Sequence, residues 1–254
     1  MLFKFIKRFG MTQMQTLSIM GVVFLILFFI IAFPLYKSIQ QKQTIAKLKI
    51  LQSELMQASR MYSMMSDSVS VYDTSLQLED FVEKYFARFF NLEGFCKENQ
   101  DVCWNKVTYT DMKNNKVYDR PVYSFELKGG ITIGFFKSKA GLIYAVVDLN
   151  GKSGENKLGK DVFIIYFYNR ATQPKLCEEE AYKNFYISDG VHFGGFDNCG
   201  IPQDVYKYED LINKDFPDAC NKKAKSYPGG VGVGAACLAL IKVNNWTMDK
   251  NYPW

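Results

Sequence analysis

Hydrophobic residues fill one long stretch near the start of the chain. From Leu17 to Tyr36 the sequence reads LSIMGVVFLILFFIIAFPLY, twenty residues without a charge. As a helix this stretch is about 30 Å long, which is the thickness of a bilayer core. A cleaved secretory signal has a shorter apolar region with small residues at its exit, and a buried core helix is seldom apolar on every face. The pattern therefore predicts an uncleaved helix that spans a membrane once.

The next stretch is polar but keeps a helical period. Residues 37–66 contain no glycine or proline. Apolar or small side chains recur at alternating intervals of three and four residues, at Leu48, Leu51, Leu55, Ala58, Tyr62 and Met65. This spacing is typical of an amphipathic helix that packs one face on a globular domain. We predict one helix over 11–66, transmembrane and then amphipathic, with Pro34 at a kink or gentle bend.

A second, shorter helix is predicted after residue 72. Asp73 or Thr74 is positioned to cap its N-terminus. Its apolar face is heavily aromatic and consists of Leu78, Phe81, Val82, Tyr85, Phe86 and Phe89. Such a face is more often core than binding surface, so we expect this helix to pack against the long one.

Beyond Val107 the hydrophobic period changes to two, which is the period of a β-strand. The strand candidates are 122–127, 131–133, 142–147 and 161–168. The turns that separate them contain Gly129-Gly130, Gly141 and Asn150-Gly151. We predict an antiparallel meander of about four strands laid on a helix, then a loop-rich segment over 170–230 and a short helix over 235–243.

Together these elements predict an α+β fold. A long N-terminal helix, transmembrane and then amphipathic, packs on a small antiparallel β-sheet domain with a disulfide-bearing loop region. The predicted organisation is a leader over 1–10, the long helix over 11–66 and an exported globular domain over 67–254.

The charge distribution predicts how the chain is oriented in the membrane. No acidic residue precedes Glu54, and Lys4, Lys7 and Arg8 stand directly before the apolar stretch. By the positive-inside rule these cations hold the N-terminus in the cytoplasm, so the C-terminal part is exported. Of the 31 lysine and arginine residues, seven lie before Glu54, which leaves 24 against 26 acidic residues. A nearly neutral globular part argues against nucleic-acid binding, which needs a basic face.

All six cysteines lie beyond residue 95, in the part predicted to be exported. An even number there predicts disulfides in an oxidising compartment, with six buried thiols as the alternative. Loop closure costs least entropy for short loops, which favours the local pairs Cys96–Cys103, Cys177–Cys199 and Cys220–Cys237. Cys177 could equally reach Cys220 or Cys237, so the second and third pairs stay open.

Four segments carry a resemblance to a known family. They are Lys7-Arg8-Phe9-Gly10 followed by Met11-Thr12, QTIAKLKILQSELMQA (43–58), VDLNGKSGENKLGKDVF (147–163) and GAACLALIKVNNWTMDKNYPW (234–254). With the apolar helix, they resemble type IV pilins and the pseudopilins of type II secretion, and 170–230 is left unmatched. The resemblance implies a leader that prepilin peptidase cleaves after Gly10, N-methylation of Met11, and a place in the bacterial inner membrane before assembly into a pilus or pseudopilus.

Two residues depart from the family's pattern. The fifth residue of the mature chain is usually glutamate, and here it is Gln15; the family's helix proline would fall at Ala32, whereas this chain has Pro34. The family's glutamate neutralises the N-terminal amine of the neighbouring subunit during assembly, and a glutamine forms hydrogen bonds but supplies no charge. Gln15 is therefore the assembly candidate. A minor or tip subunit, which has no subunit above it, fits this residue better than a major one.

The expected function is that of a membrane-anchored pilin-like subunit, with other pilin-like subunits, prepilin peptidase and inner-membrane lipid as its partners. A helix that is apolar on all sides can exchange lipid for neighbouring helices. Head-to-tail repetition of one contact then generates an open helical filament. The alternative is a signal-anchored periplasmic or cell-surface binding module that does not polymerise, and an anchored hydrolase comes third.

No enzymatic activity is expected, and calcium is the one ligand that the sequence suggests. Oxygen ligands cluster after the third predicted strand, at Asp148, Asn150, Asn156 and Asp161. The EF-hand pattern fails there, because its sixth position is Ser153 and its twelfth is Gly159. An Asx-rich turn that bonds its own backbone explains the same residues. His192 is the single histidine, and G-x-S-x-G and C-x-x-C motifs are absent, so no catalytic residue is predicted.

We predict that the substitution Gly10→Val blocks maturation of the chain. The peptidase must bring the scissile backbone close, and glycine has no side chain to obstruct that approach. Intact mass spectrometry should show the parent chain starting at Met11 with one extra methyl group, and the variant retaining residues 1–10. Equal mature masses for the two would contradict prepilin processing, and a leader retained in both would favour the binding module that does not polymerise.

Overall fold

The computed structural model describes residues 13–65, 72–87, 94–97, 108–118, 123–127, 129–151, 154–226 and 230–254. The chain divides into two units, 1–46 and 47–254. The described residues of the first unit form helix only, whereas the second unit contains helices and a sheet. The division falls inside the long helix, so the polar second half of that helix belongs to the same unit as the sheet.

The long helix, α1, runs from Gln13 to Met65 as one element of 53 residues. This confirms the predicted N-terminal helix, and Pro34 lies inside it. In the second unit its apolar stripe is buried, since Leu51 has no exposed surface and Leu48 and Leu55 are 1% exposed. Other positions of the same helix face solvent, as the polar residues between the stripe positions predict.

Six strands form one antiparallel sheet, in the spatial order β1-β4-β5-β6-β7-β8, and β2 and β3 form a separate two-stranded ribbon. The strands are β1 (Gly94–Lys97), β2 (Tyr109–Thr110), β3 (Lys116–Tyr118), β4 (Tyr123–Leu127), β5 (Ile131–Lys137), β6 (Ile143–Asp148), β7 (Val162–Tyr168) and β8 (Gly190–Phe193). Gly129 and Gly130, between β4 and β5, have φ of 88° and 74°. A tight hairpin turn needs such positive φ values, which glycine adopts without a Cβ clash.

The sheet is buried on both faces, and β7 shows this most clearly because all seven of its residues are buried. Phe163 and Phe167 join a core that also contains the leucine stripe of α1 and the C-terminal helix. Ile164 and Tyr166 point to the other face and join a second core with residues that follow β8 and residues of the ribbon. The continuous apolar run of β7 therefore reflects burial on two sides.

The second helix is shorter than its apolar pattern predicts. Helix α2 covers Leu78–Val82 and continues as a π-helical turn over Glu83–Ala87. The predicted cap is wrong, because Gln77 is the residue that precedes α2. Asp73 instead accepts hydrogen bonds from the N–H and the hydroxyl of Ser75, at 3.1 and 2.6 Å, in an Asx turn.

The aromatic face of α2 is core, as predicted. Tyr72, Phe81 and Phe86 surround Phe167 of the sheet, with ring centroids 5.3 Å from that of Phe167 in each case. Edge-to-face contacts at this spacing add to the gain from burial. Phe89, the last residue of the predicted face, lies outside the described residues.

The sheet has more strands than the four predicted. The additional members are its edge strands, β1 and β8, which have four residues each. A four-residue strand places only two residues on each face, so its alternation is too brief to separate from a loop. Among the described residues, the loop-rich segment also contains 3₁₀ turns at Glu179–Tyr182 and Gln203–Val205 and helix α3 (Tyr208–Ile212), and α4 (Cys237–Val243) is the predicted C-terminal helix.

Two of the three predicted disulfides are present in the described part of the chain. Cys177 pairs with Cys199 and Cys220 pairs with Cys237, over sequence separations of 22 and 17 residues. This resolves the alternatives that the sequence left open for Cys177. The pairing Cys96–Cys103 stays a prediction, because Cys103 and the side chain of Cys96 lie outside the described residues.

We predict that Leu51→Ala destabilises the globular unit by about 3 kcal/mol, because it removes a fully buried side chain and leaves a cavity between α1 and the sheet. The matched control is Met56→Ala on the same helix, where the side chain is 44% exposed. Urea unfolding of the full chain in detergent micelles, followed by near-ultraviolet circular dichroism, measures both. Equal stability losses in the two variants would contradict the packing of this stripe.

Candidate functional site

The apolar half of α1 presents its large side chains to the surroundings. From Met20 to Tyr36 these side chains are 49–72% exposed, with Phe24 at 69% and Phe33 at 72%. They lie on all sides of the helix, so no single face is hidden. Among the described residues, this is one helix that is long and apolar enough to cross a membrane, with a mean hydropathy of 2.4.

The apolar stretch ends at residues suited to a membrane surface. Tyr36 accepts a hydrogen bond from the side-chain amide of Gln40, one turn later, at 2.7 Å. Lys37 follows Tyr36 directly, and Lys42 is one further turn along. Tyrosine and lysine at the end of an apolar helix place a polar group at the headgroup level while the ring or the alkyl chain stays in apolar surroundings.

The residues predicted to be processed lie outside the described part of the chain. Gly10 and Met11 precede the first described residue, Gln13. Gln15 lies in α1, and its side chain is not among those described. The roles of these residues in cleavage, methylation and assembly therefore stay predictions.

The four calcium-ligand candidates lie close together in the connection between β6 and β7. Asp148 accepts hydrogen bonds from the Tyr109 hydroxyl at 2.8 Å and from the N–H of Asn150 at 2.9 Å. Asp161 accepts from the side-chain amide of Asn150 at 2.9 Å and from the N–H of Lys157 at 2.7 Å. Each of the four carboxylate oxygens thus has a donor, as in an Asx-rich turn.

Burial disfavours the charged form of both carboxyl groups in this connection. Burial raises the pKa of Asp148 to about 7, against the lowering effect of the hydrogen bonds from Tyr109 and Asn150. Burial also raises the pKa of Asp161. Asn156 has no exposed surface, and neither atom of its side-chain amide has a hydrogen-bond partner among the described residues. Two buried acids and an unsatisfied amide are a costly arrangement within this connection.

No group of three or more histidine, cysteine or acidic side chains suited to a metal occurs in the described ranges. Two aspartates and two asparagines remain near one another, which is fewer charged ligands than most calcium loops provide. Calcium binding at Asp148, Asn150, Asn156 and Asp161 therefore stays a prediction.

A buried ionic network surrounds the single histidine. His192 on β8 places Nδ1 2.7 Å from Oδ1 of Asp204 and Nε2 2.8 Å from the carbonyl oxygen of Ser188. Lys242 of α4 donates to Oδ2 of Asp204 at 2.6 Å. Burial alone would raise the pKa of Asp204, but His192 and Lys242 together lower it below its ordinary value. The network joins the edge of the sheet to the C-terminal helix.

A fourth buried carboxyl group, that of Asp218, lies where the loop before α4 meets the ribbon. Asp218 has no exposed surface, and neither of its oxygens has a hydrogen-bond partner of good geometry within the part of the chain that the structure describes. Burial raises its pKa to about 6, although the Ser226 hydroxyl and the N–H groups of Gly232 and Val231 act in the opposite direction. The nearby Asp111 carboxyl contributes to the increase. Asp218 is therefore held in a site that favours its neutral form.

Sequence reasoning missed these buried networks. Asp204 lies 12 residues after His192 and 38 before Lys242, and Asp218 is more than 100 residues from Asp111. No local spacing links such residues, because the sheet and the ribbon bring them together. The one available signal was a solitary histidine inside a short apolar run, Gly190–Phe193, which is typical of a partnered core histidine.

Comparison with known proteins gives no relative for this chain: no family model, no curated protein and no solved structure matches it.

We predict that Asp218→Asn flattens the pH dependence of stability between pH 4 and 7. The folded-state pKa of about 6 exceeds the ordinary value of 3.8, so the group's contribution is complete below pH 3.8 and is lost as the pH rises through 6. The parent chain should lose about 3 kcal/mol over this interval on account of Asp218.

The exposed Asp215, in the same loop, provides the matched control Asp215→Asn. Urea unfolding of the full chain in micelles at pH 4, 5, 6 and 7 measures all three proteins. The control should keep the parent's slope. An Asp218→Asn variant with that same slope would contradict the burial of a neutral carboxyl group.

Proposed function

We propose that this chain is a membrane-anchored, pilin-like or pseudopilin-like subunit that assembles into a pilus or secretion pseudopilus, as a minor or tip component. The N-terminus lies in the cytoplasm, the apolar half of α1 spans the inner membrane, and the globular unit is exported. Prepilin peptidase removes residues 1–10 and Met11 is methylated. The role is structural and not catalytic.

The observation that carries this proposal is the change in polarity and burial along α1. One uninterrupted helix from Gln13 to Met65 is apolar and exposed in its first part and amphipathic in its second. The second part lies in the apolar core of an antiparallel sheet through Leu48, Leu51 and Leu55. A helix with these two parts anchors the subunit before assembly and offers an all-round apolar surface to neighbouring helices after it.

Two further features support the proposal. The basic leader ends in Gly10, three residues before Gln13, the first described residue of α1, and a basic leader that ends in glycine is what prepilin processing requires. The disulfides Cys177–Cys199 and Cys220–Cys237 suit a globular unit in an oxidising compartment. The second candidate, an anchored binding module that does not polymerise, shares the helix and the disulfides, so assembly is the property that separates the two.

We predict that Gln15→Glu raises the amount of this subunit in sheared filaments several-fold. A carboxylate at position 15 would pair with the N-terminal amine of the adjacent subunit, whereas glutamine supplies no charge. The matched control is Gln13→Glu, which adds the same charge half a turn earlier on α1. Immunoblots of the sheared and membrane fractions, normalised to total subunit, give the ratio.

The two variants should differ, with Gln15→Glu enriched in the filament fraction and Gln13→Glu at or below the parent level. Equal levels for all three proteins would contradict a role for the charge at position 15. Absence of the parent and both variants from sheared filaments, with all of them in the membrane, would overturn assembly and leave the binding module.

A further inference from the structure

A cavity of about 220 Å³ opens beside the last residue of β7. Its lining consists of Tyr168, Arg170, Gln173, Lys175, Glu179, Tyr182 and Lys183. These residues come from the end of the strand, the loop that follows it and the 3₁₀ turn at Glu179–Tyr182. Drug-sized ligands occupy cavities of about 300–1,000 Å³, so this one suits a smaller molecule.

Two tyrosines of the lining, one buried and one half-buried, form the floor of the cavity and are held in place. Tyr168 is 2% exposed, and its ring packs edge-on against His192 at 5.8 Å between centroids. Tyr182 donates to the carbonyl oxygen of Cys199 at 2.6 Å, which fixes its ring next to the disulfide Cys177–Cys199. The floor therefore consists of two tyrosine rings that are already in position before a ligand arrives.

A buried amide supplies polar groups to the same floor. Gln173 is 9% exposed, and its side-chain oxygen accepts a hydrogen bond from the Tyr166 hydroxyl at 2.8 Å. That bond occupies the oxygen of the amide, so the NH₂ group is the part of this lining side chain that can donate to a ligand. A donor beside aromatic rings recognises a ligand that has both an oxygen acceptor and an apolar body.

The charged side chains of the lining are Arg170, Lys175, Lys183 and Glu179, so cations outnumber carboxylates there. Lys183 pairs with Glu180 at 2.6 Å and Lys175 pairs with Glu179 at 3.8 Å, and both pairs are exposed. Arg170 is exposed and makes no ion pair with a carboxylate in the described part of the chain. Its guanidinium lies close enough to the Tyr168 hydroxyl to act on that group. A planar guanidinium without a carboxylate partner is the group that binds carboxylates and phosphates by two parallel hydrogen bonds.

The loop that carries Arg170 is anchored at its start. The N–H of Arg170 donates to Oδ1 of Asp189 at 2.8 Å, and the N–H of Ala171 donates to Oδ1 of Asn169 at 2.9 Å. The backbone from which the Arg170 side chain extends is therefore held at the mouth of the cavity. An ordered backbone lowers the entropy that this loop loses when a ligand binds.

We propose that this cavity binds a small organic anion, with its carboxylate or phosphate on Arg170 and its body against Tyr168 and Tyr182. The Gln173 amide donates to a hydroxyl or carbonyl oxygen of that body. An inorganic anion would satisfy Arg170 but leave the tyrosine floor empty, and a neutral molecule would leave Arg170 without its partner. The acid end of a sugar acid and the ester of a sugar phosphate both supply this chemistry.

Isothermal titration calorimetry of the full chain in detergent micelles at low salt tests the proposal with four probes: glucuronate, glucose 6-phosphate, glucose and inorganic phosphate. We expect at least one of the two organic anions to bind at millimolar concentration or below, and to bind at least tenfold more tightly than glucose and inorganic phosphate. The stronger of the two organic anions identifies a carboxylate or a phosphate ligand.

The decisive variant is Arg170→Gln, which keeps a polar side chain and removes the charge. Losing a charge-assisted hydrogen bond should weaken binding about tenfold to a hundredfold. Lys113→Gln, at an exposed lysine in the turn between β2 and β3, is the matched control and should leave the affinity unchanged. Near-ultraviolet circular dichroism verifies that both variants are folded, and Arg170→Lys, which keeps a charge but loses the bidentate geometry, should bind with intermediate affinity.

Three results would overturn the proposal. These are the absence of binding by both organic anions, binding that Arg170→Gln leaves unchanged, and inorganic phosphate binding as tightly as the organic anions. The last result would mean that the rim attracts anions by charge alone and that the tyrosine floor has no role. None of these outcomes depends on whether the chain forms filaments.

Discussion

Helix α1 has exposed apolar side chains in its first part and a stripe buried against the sheet in its second. The rest of the structure depends on where the helix changes from one to the other. Up to Tyr36 its large apolar side chains are exposed, and from Leu48 onward an apolar stripe is buried in the core of the sheet unit. Each buried leucine contributes about 1.5–3 kcal/mol, so the stripe fixes this part of the helix on the sheet. Lys47, at the change, donates to the carbonyl oxygen of Leu149 at 2.6 Å and ties the helix to the connection after β6.

The long elements of this fold could be predicted from the sequence because each one repeats its hydrophobic period many times. Helix α1 repeats the three–four alternation over several turns, and β7 is an apolar run bounded by turn residues. The four-residue edge strands β1 and β8 and the π-helical turn at Glu83–Ala87 offer no such repetition. Their conformation is set by the neighbours they pair with, which a single sequence does not reveal.

The polar sites also differ in whether their residues are close together in the sequence. Asp148 and Asp161 belong to one connection, and their proximity could be predicted because a turn rich in aspartate, asparagine and glycine folds back on itself. Asp204 and Asp218 each meet partners from other elements, and only the completed sheet supplies those contacts. The two described disulfides resemble the Asp148–Asp161 pair in this respect. Their cysteines are only 17 or 22 residues apart, so both pairings could be predicted without knowing the topology.

The position of the cysteines has a mechanical consequence. Helix α1 contains no cysteine, because all six lie beyond residue 95, while the described disulfides cross-link the loops that follow β7 and β8. A tensile load applied along α1 would reach the sheet unit through non-covalent contacts in the described part of the chain, among them the leucine stripe, the hydrogen bond of Lys47 and the ring contact of Tyr62 with Tyr85. The loops inside the two covalent rings could not extend under that load. Rupture would therefore begin by shear between helix and sheet, and the cross-linked loops would keep their shape after the helix had slipped.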